Sequence, residues 1–368
     1  MIQTIRKAWG IPELRKKIVF TLLILLIFRL GNAIMVPYIN RDALALQMQV
    51  WGTGLLGLYN VMSGGAFATA TVFALSIQPY INSSIIIQLL TVAIPALERL
   101  ARDGGEEGKK KIQSITRYAT VAIAILQAIG YYFMMKNYNL LEQDGIWVAL
   151  VIIVTLIAGS SFVMWMGEQV TEFGVGNGIS IILFANIISR IPDNIISLVT
   201  NLSTGAMKWW GATIVLVGVA ALVLLIVFIN DAERRIPIQY AKRVVGRKVY
   251  GGQNTNLPIK VNMSGVMPVI FAQSIAALPA TIFAFTNPNG TSGNGFVQFL
   301  INMFDSSSWF YAFLYFILII AFAYFYAAVQ YDPVEIANNL KKNGGFIPGF
   351  RPGKPTADFI ARVIHKIT

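Results

Sequence analysis

Long apolar stretches recur along this chain and constrain its fold more than any other feature. A helix needs about 20 predominantly apolar residues to cross the hydrocarbon core of a bilayer. The candidate spans are Ile18–Val36, Ser76–Leu97, Ala119–Phe133, Ile146–Met166, Ile179–Leu198, Trp209–Ile229, Met263–Phe285 and Trp309–Val329. Charged residues make up only 12% of the chain, against about 25% in soluble domains. The sequence therefore predicts an all-α, polytopic bundle of eight membrane-spanning helices.

The positive charges are distributed as expected for the cytoplasmic loops of such a bundle. Lys and Arg fall in four blocks, before residue 18, at 98–117, at 231–260 and after 332, which together hold 24 of the 29. Because cytoplasmic loops are enriched in Lys and Arg, the blocks indicate one side of a membrane. Two, four and two spans separate consecutive blocks, so all four lie on that side and the N-terminus is predicted to be cytoplasmic. The net charge of +12 thus does not require a nucleic-acid partner.

One segment does not fit a simple series of crossings. Ala43–Leu97 contains no charged residue and is long enough for two spans, although the charge pattern allows only one crossing there. Its first half is rich in glycine. Non-helical backbone at membrane depth is tolerated only when it is buried in protein or lines a water-filled cavity. We therefore interpret it as a re-entrant segment, with an exposed loop as the alternative.

The loops after the sixth and eighth spans are long and charged. Asp231–Lys260 alternates polar and β-branched residues from Arg235 to Tyr240, which predicts a small hairpin. Asp358–Thr368 carries an apolar stripe interrupted by Arg362 and Lys366, which predicts the start of a ninth helix.

Chemistry-bearing residues are scarce. There is no cysteine, and the single histidine is His365, so a thiolate metal site and a cysteine nucleophile are excluded. An intramembrane protease would need a nucleophile with a base, or paired aspartates within spans. A secondary transporter, the other alternative, would need ionisable residues at mid-span, where only Arg29 and the edge residue Arg190 stand. The carboxylates and GVGNG run within Met166–Ser180 indicate a structural turn, since no strand precedes the run and no Lys-Ser/Thr follows it.

Five motifs carry a resemblance to a known family. They are SIQPYINSSIIIQLL at Ser76–Leu90, MGEQVTEFGVGNGIS at Met166–Ser180, ERRIPIQYAKR at Glu233–Arg243, LPIKVNMSGVMPVIFA at Leu257–Ala272 and GGFIPGFRPGKPT at Gly344–Thr356. In this order and at this spacing they resemble the SecY family of protein-conducting channels. The family has ten spans, and this chain stops before the ninth is complete.

The resemblance implies an hourglass channel built from two pseudo-symmetric halves, here residues 1–198 and an incomplete 199–368. Its waist is a ring of aliphatic side chains, which match Ile81, Ile85, Leu183 and Ile270. Such a constriction excludes water and ions by dewetting. Residues 63–74 resemble the plug, a short helix that lies beneath the ring of the closed channel. The plug residues are Ser63, Gly64, Gly65, Ala66, Phe67, Thr69 and Thr71.

The resemblance also implies partners and a cellular location. Gln88, Gln127 and Asn262 match positions at a lateral gate, through which apolar segments leave for the lipid bilayer. Arg243, Arg247 and Arg351 lie in loops that dock the SecA motor ATPase or the ribosome. SecE and SecG type subunits are expected partners, and unfolded polypeptides with signal sequences are expected substrates. No enzymatic activity and no cofactor are expected. The implied location is the bacterial plasma membrane, with the thylakoid membrane as the alternative.

Overall fold

The computed structural model of the chain forms two compact units. The described residues are 9–51, 55–102, 104–240, 243–245, 248–250, 254–273, 275–276, 303, 308–330 and 332–367. The first unit contains the described residues up to Val199 together with 303 and 308–311, and the second contains those from Thr200 to Ala276 and from Ala312 onward. The boundary between two pseudo-symmetric halves at 198 and 199 stays a prediction.

The helices of the first unit follow one another with short connections. They are α1 (Pro12–Gly31), α2 (Arg41–Trp51), α3 (Leu55–Met62), α4 (Gln78–Ala93), α5 (Pro95–Arg102), α6 (Gly105–Asn137), α7 (Ile146–Phe173), α8 (Gly178–Ile188) and α9 (Ile191–Ser203). Helix α7 shows how the unit is packed. Its buried residues recur every three or four positions along one face, which is the spacing of a helix that packs on a core: Val148, Ile152, Leu156, Gly159, Ser160, Val163, Met164, Met166, Gly167 and Val170.

Part of the predicted set of spans is confirmed. Among the described residues, five helical segments are long and apolar enough to cross a membrane: α6, α7, α8 with α9, α10 (Trp209–Asp231) and residues 309–327 of α11 (Trp309–Gln330). A sixth is obtained if α4 and α5, which meet at a bend of 104°, count as one broken span. The first predicted span, Ile18–Val36, lies mostly in α1, which ends at Gly31 and is not among these because four basic residues lie along this helix: Arg15, Lys16, Lys17 and Arg29. The seventh begins as helix at residues 267–273 and continues into residues outside the described ranges.

The second unit combines apolar helices with a small sheet. Strand β1 (Glu233–Tyr240) pairs antiparallel with β4 (Asn254–Lys260), and β2 (Arg243–Val245) pairs with β3 (Lys248–Tyr250) at the far end of the same loop. The predicted hairpin is confirmed. A third strand, β5 (Gly345–Phe346), joins the other edge of β1 and gives the order β4-β1-β5.

The sheet and the last two helices share one hydrophobic core. Helices α12 (Pro333–Lys342) and α13 (Lys354–Ile367) pack their apolar faces there. The buried members are Ile236, Ile238, Ile259, Met263, Leu340, Ile347, Ile360, Val363 and Ile364. A helix was predicted at Asp358–Thr368, and α13 occupies this region from Lys354 onward.

The segment between α3 and α4 differs from the prediction. Residues 63–77, here called the turn segment, form consecutive turns and an isolated bridge between Met35 and Thr71 in place of a short helix. The backbone explains the difference, because φ is positive at Gly64 (66°), Gly65 (93°), Ala70 (47°) and Ser76 (49°). Residues in the left-handed region interrupt a right-handed helix.

Candidate functional site

The turn segment is the most unusual feature of the first unit, because it is irregular backbone surrounded by helices. Most of its residues are buried, including Ser63, Ala66, Thr71 and Ile77. Polar groups within the segment compensate for the missing helix. The Phe67 amide donates to Ser63 Oγ at 3.0 Å, and the Ala68 amide donates to Asn60 Oδ1 at 3.1 Å. These contacts satisfy buried backbone donors, which are costly when left unpaired.

Aromatic side chains fix the turn segment against three helices. The ring of Phe73 stacks between Phe28 of α1, at 5.6 Å between centroids, and Phe162 of α7, at 6.1 Å. Phe67 meets Tyr131 of α6 edge to face at 5.1 Å, and the Tyr131 hydroxyl donates to the carbonyl of Phe67 at 3.1 Å. Aromatic pairs in these geometries contribute more than their buried area alone.

Two helical glycines allow the turn segment to approach so closely. A Cβ added at Gly159 of α7 would overlap the carbonyl oxygen of Val72, and one added at Gly31 of α1 would overlap the ring of Phe73. Any side chain at either position would push the turn segment out of its place. The site in which the turn segment packs is therefore shaped by residues outside the sequence motif from which this segment was predicted.

Asn186 is the residue of this site that sequence analysis missed. It lies within the apolar helix α8 and is only 1% exposed. Its Nδ2 donates to the carbonyl of Met62 at 2.9 Å and to Ser76 Oγ at 3.1 Å, so it contacts the chain at both ends of the turn segment. A neutral amide in the middle of an apolar span was the available signal, since buried polar groups require partners.

The predicted ring residues are distributed over both units. Ile81 and Ile85 lie four residues apart on one face of α4 and are 7% and 4% exposed, whereas the adjacent Ile86 is 45% exposed. Leu183 of α8 is half-buried in the first unit, and Ile270 is half-buried in the second. The structure thus brings the two α4 isoleucines together, and the closed ring stays a prediction.

The predicted gate amides also lie in different units. Gln88 and Gln127 are half-buried on α4 and α6, and Gln127 Oε1 is a buried acceptor without a partner among the described residues. In the second unit, Asn262 Nδ2 donates to Asn230 Oδ1 at 2.8 Å, and Asn262 Oδ1 accepts from the Gly265 amide at 3.0 Å. Asn262 therefore connects the end of α10 to the start of the next helical segment.

The turn predicted within Met166–Ser180 is confined to residues 174–177, because the carboxylates of this motif lie in the last turns of α7 and α8 begins at Gly178. Asn177 Oδ1 accepts from the amides of Ile179 and Ser180 and caps α8. Thr21 Oγ1 of α1 accepts from the Val175 amide at 3.2 Å, which ties the turn to the first helix. The described residues contain no group of three His, Cys, Asp or Glu side chains that could hold a metal ion.

The comparison with protein families decides the class of this membrane protein. The model of the SecY family matches residues 71–368, which is most of the chain. The chain belongs to the SecY family. Its helical fold, its apolar spans and its protein-translocation function are those of this family.

Curated SecY proteins are similar over the whole chain. The protein translocase subunit SecY of Aquifex aeolicus is 40% identical over 373 residues, which cover all of this chain and 86% of that protein. The SecY of Bacillus subtilis is 41% identical over 377 residues, with 85% of that protein covered.

Solved structures show the same SecY-type fold at lower sequence identity. A protein-conducting channel matches with a TM-score of 0.63 and 18% identity, covering 96% of this chain and 82% of that one. Sec61 in a canine ribosome-channel complex matches with a TM-score of 0.58 and 16% identity, covering 95% and 81%. At these identities the comparison supports the fold alone.

The loop arginines expected to dock partners in SecY proteins are only partly described. Arg351 is exposed, and its carbonyl accepts from Thr356 Oγ1 at 2.8 Å, which shapes the turn before α13. Arg243 is placed by its backbone, which pairs with Tyr250 in the β2–β3 hairpin. Arg247 lies outside the described residues.

Proposed function

We propose that this chain is the channel-forming subunit of a translocase that passes unfolded secretory proteins across the membrane and inserts membrane proteins sideways into the bilayer. The observation that carries the proposal is the turn segment. Irregular backbone in a unit of apolar helices is tolerated where it is buried in protein or lines a cavity. A segment that fills the idle channel is buried in protein, and a segment that leaves its place during transport lines the open cavity.

The ring of the channel is formed by Ile81, Ile85, Leu183 and Ile270. Aliphatic side chains at a constriction exclude water and ions by dewetting, and they contact a passing chain without requiring any particular sequence. The burial of Ile81 and Ile85 beside an exposed Ile86 supports an inward orientation of these two residues. The turn segment acts as the plug beneath this ring.

A lateral gate involves Gln88, Gln127 and Asn262. Amides at such a boundary exchange partners when the helices separate, and the unpartnered acceptor of Gln127 is a group that gains from this exchange. A hydrophobic segment in the channel is then exposed to lipid on one side and leaves by that route.

Partner proteins dock on the basic loops of the second unit. Arg243, Arg247 and Arg351 are the docking residues for a SecA-type motor or for the ribosome, and one neighbour in fold, canine Sec61, is solved in a ribosome-channel complex. Positive loops attract acidic or RNA-rich partners at a rate that falls with ionic strength. Small subunits of the SecE and SecG type complete the complex.

The chain forms the channel through which a polypeptide passes, and it catalyses no covalent step. The partner's nucleotide hydrolysis, translation or the membrane potential supplies the energy, and the subunit is not an enzyme. The bacterial relatives support a location in the plasma membrane, with the basic loops and the N-terminus in the cytoplasm.

Crosslinking to a stalled substrate tests the proposal. Because the chain lacks cysteine, single cysteines at Ile81, Ile270 and the exposed Ile86 report contact without background. A signal-bearing polypeptide with one cysteine, arrested during transport, is expected to form disulfides with positions 81 and 270 and not with 86. Equal crosslinking at 81 and 86, or none at 81 and 270, would contradict the proposed path.

A further inference from the structure

The turn segment is held at both ends by one side chain. Asn186 Nδ2 donates to the carbonyl of Met62, just before the segment, and to Ser76 Oγ, near its end. Both bonds are made by a residue that is 1% exposed, in a setting where hydrogen bonds are electrostatically stronger than in water. One amide therefore closes the loop that the turn segment forms.

The packing around this amide leaves little room for adjustment. Gly64 has a positive φ, and a Cβ there would lie 2.8 Å from Asn186 Oδ1. The backbone of the segment thus contacts the Asn186 side chain directly. A residue of different shape at position 186 would change the placement of the segment as well as its hydrogen bonds.

Other features disfavour the seated conformation. Ala70 and Ser76 adopt positive φ values of 47° and 49° without being glycine, which is strained for L-residues. Asn186 Oδ1 is a buried acceptor without a partner among the described residues, and such a group loses solvation on burial. The packed position of the turn segment therefore depends on two opposing contributions. The two Asn186 hydrogen bonds stabilise it, and the local backbone strain destabilises it.

We propose that Asn186 is a positioning residue that clasps the turn segment and so sets how readily the channel opens. The inference rests on the proposed function of that segment as the plug. Asn186 acts through the segment and needs no contact with the translocating chain. Its removal raises the fraction of idle channels in which the segment has left its seat.

A thiol in the turn segment measures this fraction. Thr71 is 1% exposed, so the variant Thr71→Cys in the full complex, reconstituted in vesicles, reacts with a membrane-impermeant maleimide only when the segment moves. Asn186→Leu in this background keeps the branching at Cγ and removes both bonds. Because each net hydrogen bond contributes roughly a factor of two to ten in an equilibrium and this variant removes two, we expect labelling to accelerate roughly tenfold or more.

Two further variants isolate the clasp from general damage to α8. Ile187→Ala changes an exposed residue of α8 next to Asn186 and is the matched control, with labelling at the parent rate. Ser76→Ala removes one of the two bonds and leaves α8 intact, so its labelling rate is expected between those of Ile187→Ala and Asn186→Leu. If the Asn186→Leu complex does not assemble, the labelling rate of the Ser76→Ala complex alone tests the proposal.

The outcomes separate this inference from the proposed function. Labelling of Asn186→Leu and Ser76→Ala within twofold of Ile187→Ala overturns the proposed role of Asn186. The same vesicles are assayed for transport of a signal-bearing polypeptide. If the parent complex transports the polypeptide while the Asn186 and Ser76 variants are labelled at the control rate, only the proposed role of Asn186 is wrong. A parent complex that transports nothing contradicts the proposed function itself.

Discussion

The Arg117 guanidinium Nε lies 2.8 Å from Glu168 Oε1 and joins α6 to α7. The two side chains differ in their surroundings, since Arg117 is 48% exposed and Glu168 is 11% exposed. Gln113 Nε2 also donates to Glu168 Oε1 at 3.2 Å. The carboxylate is thus the more buried partner and the one that depends on the pair for its compensation.

The two halves of this ion pair are expected to respond unequally to substitution. Arg117→Met leaves a mostly buried carboxylate with only Gln113 as a partner, and we expect it to lower the free energy of unfolding by about 1–3 kcal/mol. Glu168→Gln leaves an arginine that solvent reaches, at a cost of about 1 kcal/mol or less. Thermal unfolding of the detergent-solubilised complex measures both. A larger loss for Glu168→Gln would contradict this assignment.

The N-cap of α8 offers a second test of stability. Asn177→Ala removes the acceptor for two helix amides and is expected to cost about 1 kcal/mol. Asn177→Asp retains the cap oxygen and serves as the control, with stability near that of the parent. A role of the GVGNG turn in ligand binding would instead make Asn177→Asp as damaging to function as Asn177→Ala.

The close approach of α7 to the turn segment predicts a contrast between two glycines. Gly159→Ala is expected to lower the melting temperature by several degrees, because its Cβ would overlap the Val72 carbonyl, and overpacking costs about 1–3 kcal/mol. Gly218→Ala in α10 has open space around its Cβ. It is expected to be neutral or stabilising by up to about 1 kcal/mol, as alanine is the better helix former. Equal effects would show that the approach of Val72 to α7 is not close.

The proposed ring predicts a contrast between adjacent residues of α4. Ile85→Asn places an amide in the constriction and favours its wetting, so we expect the idle channel to leak ions. Ile86→Asn alters the exposed face of the same helix and should leave the leak at the parent level. Anion flux into dye-loaded vesicles measures both variants. A leak through Ile86→Asn alone would show that the wrong face of α4 was assigned to the pore.

The docking loops predict an effect on partner binding without loss of stability. Arg351→Glu reverses an exposed charge and is expected to weaken binding of a SecA-type motor or a ribosome severalfold, more strongly at low salt because the attraction is screened by ions. Arg362→Glu, on the exposed side of α13, is the matched control. Binding to immobilised complex at two salt concentrations measures the effect, and equal losses for both variants would indicate a nonspecific charge effect.

The apolar spans and the hairpin were predictable because periodicity and composition are local properties. The start of α7 at Ile146 and the presence of a hairpin within Asp231–Lys260 follow from such patterns. The turn segment could not be predicted in detail, because its conformation depends on distant contacts with Phe28, Tyr131 and Asn186. Its family motif suggested a helix, while the positive φ values imposed by packing produced turns.

The site residues likewise divide into those that a local sequence pattern indicates and those whose role depends on distant contacts. Ile81 and Ile85 were assigned from a motif, and their burial agrees with a shared inward face. Asn186 was missed because its role depends on two backbone positions that only the fold brings together. Gly159 was missed for the same reason, since nothing in its own helix indicates that another segment passes so closely.

The sheet of the second unit has a mechanical consequence. Strand β1 pairs with β4 in its own loop and, through Gln239 with Phe346 and Tyr240 with Gly345, with β5 of the loop that follows α12. Neither loop can be displaced alone without breaking these pairs and opening the core beneath them. A force on either loop is therefore transmitted to the other through the shared sheet, so a partner that binds one loop acts on both together.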